Sequence, residues 1–92
     1  MLRFEWSQNK SEANLVKHGI DFAEATALWS DPYGLVMPSN RRGERRYSLY
    51  ARHSGVVWTA AYTMRGDIIR VITVHRATRW EAAEYDRYRF ER

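Results

Sequence analysis

The run Arg70-Val71-Ile72-Thr73-Val74-His75-Arg76-Ala77 is apolar enough to be a central strand, yet it carries a hydroxyl, an imidazole and two guanidinium groups. Those types suit proton transfer and the binding of phosphate. Imidazole is the side chain that exchanges protons near neutral pH, and guanidinium grips phosphate oxygens with a planar fork. Acid–base work on a phosphate-bearing group needs a proton acceptor, a proton donor and cations around the charge that develops. His75 can serve as acid or base, and Glu44 is a possible base at the mouth of a long strand. Arg46, Arg65, Arg70 and Arg76 are possible phosphate clamps. Each also has a plainer reading: His75 as a hydrogen-bonded rim residue, Glu44 as an ion-pair partner of Arg46 or Arg65, an arginine as a solvated face residue.

These groups must be positioned by a small frame. Ninety-two residues, 45% hydrophobic and 14% aromatic, make a single domain over 1–92 with one core. Charge is uneven. Residues 1–40 hold three cations against five carboxylates, whereas residues 41–92 hold twelve arginines against six carboxylates. Thirteen of the fifteen cations are arginine, which favours a polyanion partner, most simply a nucleic acid. There is no cysteine, and the three histidines at 18, 53 and 75 lack ligand-like spacing, so neither a metal nor another cofactor is expected. No apolar run approaches a membrane span and no secretory segment opens the chain, so the expectation is a cytoplasmic protein with no membrane partner.

The elements can be placed from their end signals. Leu2–Trp6 alternates like a short edge strand; Ser7 can cap a helix to Lys17-His18, with Leu15 and Val16 facing inward and Gly19 closing it. Asp21-Phe22-Ala23-Glu24 has capping-box spacing and opens a second helix that supplies Phe22, Ala25, Leu28 and Trp29, before Asp31-Pro32 stops it. A strand over 33–37 and a loop over 38–43 come next. The runs Arg45–His53, Val56–Met64 and Ile68–His75 follow, joined at Ser54-Gly55 and Gly66-Asp67. Thr78-Arg79-Trp80-Glu81 repeats the capping-box spacing for a last helix, whose Trp80, Tyr85 and Tyr88 can pack on the sheet or stack on bases. The order predicts an α+β fold: an antiparallel sheet with two N-terminal helices on one face, and a C-terminal helix. A two-residue turn at Gly66-Asp67 sets Ala60 opposite Thr73 and Trp58 opposite His75. That register turns Thr73 and His75 towards the helices, and Arg70 and Arg76 towards solvent.

Two segments resemble the BrnT toxins, the ribonuclease halves of bacterial type II toxin–antitoxin systems with a RelE-like fold. One comprises Phe4-Glu5-Trp6, Lys10, Asn14, Lys17-His18-Gly19-Ile20, Phe22 and Glu24-Ala25; the other comprises Glu44, Arg46-Tyr47, Tyr62-Thr63, Arg65-Gly66, Arg70–Ala77, Glu81 and Tyr85. Where that family commonly reads Arg-Ile-Ile-Ser-Ala-Arg-Lys-Ala, this chain has Thr73 for serine, His75 for arginine and Arg76 for lysine. The resemblance implies a RelE-like domain that cuts RNA and blocks translation, and a neighbouring BrnA-like antitoxin that neutralises it and supplies the only link to DNA. It also implies that a histidine near this place can act as general acid. With it, the candidate catalytic residues are His75, Glu44, Arg65 and Thr73, and the RNA-binding residues are Arg46, Arg70 and Arg76. A second expectation is a non-catalytic toxin relic that only binds antitoxin or nucleic acid.

Overall fold

The computed structural model describes residues 1–41 and 43–91, with backbone alone for Asn40 and Arg41. Five strands form one sheet in the order β1-β5-β4-β3-β2: β1 (Arg3–Glu5), β2 (Leu35–Arg41), β3 (Glu44–His53), β4 (Val56–Arg65) and β5 (Ile68–Arg76). Consecutive strands β2 to β5 are antiparallel hairpins, while β1 runs parallel to β5 and makes the sheet mixed. Between β1 and β2 lie α1 (Gln8–His18), α2 (Phe22–Ala25) and a 3-10 turn (Thr26–Ser30); α3 (Arg79–Glu91) closes the chain.

The start and stop signals act as expected. Ser7 Oγ accepts the Lys10 N–H at 3.3 Å, and Gly19 stops α1 at φ 80°, a conformation that side chains with a Cβ avoid. Asp21 Oδ1 accepts the Glu24 N–H at 2.8 Å. Thr78 and Glu81 complete a full capping box, with Thr78 N–H donating to Glu81 Oε1 and Glu81 N–H donating to Thr78 Oγ1. Between β3 and β4, Ser54 and Gly55 both take positive φ, the type I′ signature of a two-residue hairpin.

One face of the sheet carries the core. Ile20, Phe22, Ala25 and Leu28 pack there against Leu49, Ala51, Trp58, Ala60, Tyr62, Ile69, Val71 and Val74, flanked by the partly buried Phe4, Trp6 and Trp29. The other face is covered at one end by α3. Tyr85, 1% exposed, donates its hydroxyl to Asp31 Oδ2 at 2.6 Å, and the ring of Trp80 meets Tyr50 edge-on.

Three expectations need correction. The strand expected over 33–37 spans Leu35–Arg41, so most of the expected loop is paired; Pro38 fits because β2 is an edge strand, where its missing N–H costs no ladder bond, and Arg42 lies outside the described residues. Leu15 and Val16 do not face inward: they are 47% and 89% exposed, and α1 instead buries Ser11 and Asn14. The two N-terminal helices share one face as expected, and α3 packs on the face opposite α2. Finally, the β4–β5 register starts as expected at Arg65 opposite Ile68, then shifts between Ala61 and Tyr62. Ile72 is the extra residue, so Ala60 meets Val74 and Thr59 meets His75. A bulge reverses the facing of every side chain beyond it.

Candidate active site

The bulge decides where the chemistry sits. Val74 turns into the core with 0% exposure, and Thr73 and His75 turn to the opposite face beside Thr59 and Ala61. They line a cleft of about 360 Å³ with Arg46, Ser48, Thr59 and Glu81. The cleft floor is β3, β4 and β5, and its wall is the first turn of α3. An adjoining hollow of about 250 Å³ is lined by Lys10, Glu44, Arg46, Thr63, Arg65 and Arg70. Arg46 borders both. The residues singled out from sequence therefore fall into two adjacent groups, Thr73 and His75 in one and Glu44, Arg65 and Arg70 in the other. Arg76 joins neither: it is exposed, opposite Trp58, on the face that carries the core, contrary to the register in which it shared a solvent face with Arg70.

His75 is oriented by one hydrogen bond. Its Nδ1 lies 2.7 Å from the carbonyl oxygen of Arg76, which can only accept, so Nδ1 carries the proton and Nε2 is the nitrogen that gains or loses one. The His18 ring, at the end of α1, stands 6.2 Å from the His75 ring.

The cations are partly engaged. Arg46 Nη2 lies 3.4 Å from Glu44 Oε2, while Arg70 Nη1 and Arg65 Nε lie 3.0 and 3.7 Å from Glu5 Oε2. Half-exposed pairs of this kind contribute about 0–1 kcal/mol, so a phosphate can displace a carboxylate cheaply. Arg46 Nε is buried without a hydrogen-bond partner among the described residues, a donor left unmatched at the junction of the two hollows.

Lys10, Thr59, Thr63 and Glu81 were assigned no catalytic or RNA-binding role from sequence, although Lys10, Thr63 and Glu81 lie in the segments that carry the resemblance. Thr59 Oγ1 donates to Glu81 Oε1 at 2.8 Å, and Thr63 Oγ1 to the Arg45 carbonyl at 2.9 Å. Glu81 was visible as a capping-box residue; what the spacing could not show is that α3 lays its first turn over β4. Two further groups hold that wall. Burial raises Tyr50 above the ordinary phenol value, and the carboxylates of Glu81 and Glu84 push the same way, keeping it neutral. At Asp31, burial alone would raise the carboxyl, but hydrogen bonds from Tyr85, Arg52 N–H and Tyr33 N–H, with the Arg52 charge, hold it below its ordinary value. Asp31 thus joins the end of the 3-10 turn, β3 and α3 in one hub.

A mixed sheet with two helical segments on one face, and a C-terminal helix bounding a cleft on the other, defines an α+β domain of RelE-like topology. The family model described as the ribonuclease toxin BrnT of type II toxin–antitoxin systems matches residues 6–81, which include the whole cleft apart from Glu5 at its border. The chain belongs to that family of toxins. No curated protein matches it.

Proposed function

We propose that this toxin-family domain is a metal-independent endoribonuclease that arrests translation by cutting RNA, and that a BrnA-like antitoxin neutralises it. The observation that carries the reading is the bulge at Ile72, which sets His75, with Nε2 free to exchange protons, on the same open face as Arg46.

In this reading the RNA backbone crosses the two hollows, with a phosphate against Arg46 and its neighbours against Lys10, Arg65 and Arg70. The 2′-hydroxyl attacks phosphorus and loses its proton to a carboxylate. The 5′-oxygen leaves and takes a proton from Nε2 of His75 in its doubly protonated imidazolium form, giving a 2′,3′-cyclic phosphate, a free 5′-hydroxyl and a neutral ring that keeps its Nδ1 proton. Thr73 and Arg46 stabilise the charge on the non-bridging oxygens. The base is Glu44, across Arg46, or Glu81, which shares the cleft with His75; single glutamine variants decide between them. No leader or anchor is needed for this role, and no helix among the described residues is long and apolar enough to cross a membrane. Purified protein should cleave RNA in the presence of EDTA, with products ending in cyclic phosphate. Salt-sensitive binding with no cleavage under any condition would instead mark a relic that binds without catalysis.

A further inference from the structure

Asn14 occupies a position that a helix interior does not favour, since asparagine is a weak helix former there. It is 6% exposed, and every hydrogen-bonding site of its amide is used. Nδ2 donates to the carbonyls of Val74 at 2.9 Å and Ile20 at 2.8 Å. Oδ1 accepts the Val74 N–H at 3.2 Å and faces the Thr73 hydroxyl at 3.5 Å. The two donors both meet carbonyl oxygens, so the amide has only one workable orientation.

The place matters more than the count. β1 pairs with β5 only as far as Arg70, two residues before the bulge. Beyond it the outer edge of β5 has no neighbouring strand among the described residues, and Asn14 meets both backbone groups of Val74 as a strand would. The turn at Gly66-Asp67 does not choose between registers, since the competing one, with Thr73 opposite Ala60, satisfies it equally; burial of Val74 favours the bulge from within the strand, and Asn14 adds to it from outside. In that register Val74 leaves the core and His75 turns away from the cleft. The Asn14 bonds to Val74, unlike the turn, exist only when Val74 is presented to α1.

We propose that Asn14 is a positioning residue: by clamping the Val74 backbone it selects the bulged register of β5 and so holds Thr73 and His75 on the cleft face. Its consequence for catalysis rests on the ribonuclease reading; its consequence for register does not. The prediction is tested by NMR and kinetics on the full chain, comparing the wild type with Asn14→Ala and Asn14→Asp. In the wild type, the backbone contact across the ladder joins Ala60 to Val74, the Val74 amide is protected from exchange like a ladder amide, and the His75 imidazole carries its proton on Nδ1.

Either substitution should bring in the Ala60–Thr73 contact, mix the His75 tautomers and lower kcat about tenfold or more with KM within about twofold, as a misplaced catalytic group requires. The aspartate is as severe as the alanine, because it sets a carboxylate oxygen against two carbonyls. A folded Asn14→Ala protein that keeps the Ala60–Val74 contact, the single tautomer and full activity overturns the proposal. Should both variants unfold, the wild type still decides: a Val74 amide that exchanges as fast as the exposed strand edges overturns it, and a protected one supports it. A wild type that cuts no RNA sinks the functional reading alone, since the register and tautomer measurements do not depend on cleavage.

Discussion

The contact between His75 Nδ1 and the Arg76 carbonyl divides the work of the ring, one nitrogen holding and the other reacting. His75→Ala should lower cleavage at least about tenfold, and up to the roughly 10²–10⁴-fold that a general acid supplies, while thermal unfolding moves little because the side chain is half-buried at the cleft. Unchanged single-turnover rates would remove His75 from the chemistry. His75→Arg, which restores the residue common in the family at this place, supplies charge but no titratable acid, so it should keep RNA affinity while failing to restore the rate. Arg46 and Arg76 make a paired test of position. Arg46 borders both hollows with an unmatched Nε, so Arg46→Ala should cost about 10- to 100-fold in kcat/KM. Arg76, on the other face, should matter little; equal losses in the two variants would show that RNA follows a different path.

At the scale of elements, much was legible because it is local. Ser7, Asp21 and Thr78 each mark a helix start with a side chain that takes up an orphan N–H, and Gly19, Ser54-Gly55 and Gly66-Asp67 mark ends and turns through backbone conformation. What escaped depends on partners distant in sequence. Pro38 argues for a loop until β2 is known to be an edge; Leu15 and Val16 look like core until α1 is seen to meet the sheet through Ser11 and Asn14; and no turn or glycine near Ile72 announces a bulge that Asn14 favours by bonding Val74, 60 residues along the chain. The residue types of the candidate site were therefore readable, and so was the solvent facing of Arg70, whereas the facing of Thr73, His75 and Arg76 was not. The α3 wall offers a direct measurement. Tyr85→Phe removes the hydroxyl from a carboxylate it approaches at 2.6 Å and should cost about 1.5–3 kcal/mol, read from urea unfolding. The pH dependence has a definite sign. Asp31 is held below its ordinary 3.8 in the fold, so on acidification the unfolded chain takes up this proton first. Its contribution is complete above that value and is lost as the pH falls through the lower folded one. Asp31→Asn should be less stable at neutral pH yet lose less stability between about pH 5 and pH 2. An acid limb as steep as the wild type's would show that other carboxylates govern it.

For the whole molecule, a net charge of +4 understates the field that an RNA strand meets, because the cleft gathers Lys10, Arg46, Arg65 and Arg70 on the face that α3 leaves open. Glu5 and Glu44 offset part of that charge, in pairs weak enough to be exchanged for phosphate. Binding single-stranded RNA through as many as four phosphate contacts gives a slope of log K against log salt no steeper than about −3, from roughly −0.7 per contact. Arg70→Ala should flatten the slope by about 0.7, whereas His75→Ala should leave it unchanged. These two measurements separate an enzyme from a relic more cleanly than activity alone. If the protein is a nuclease, wild type and His75→Ala bind RNA with the same affinity and salt slope, and differ only in whether the strand is cut in EDTA. If it is a relic, the slopes are the same and neither cuts. A wild type with no salt dependence would remove the basic cleft itself as the RNA site, whatever His75 does.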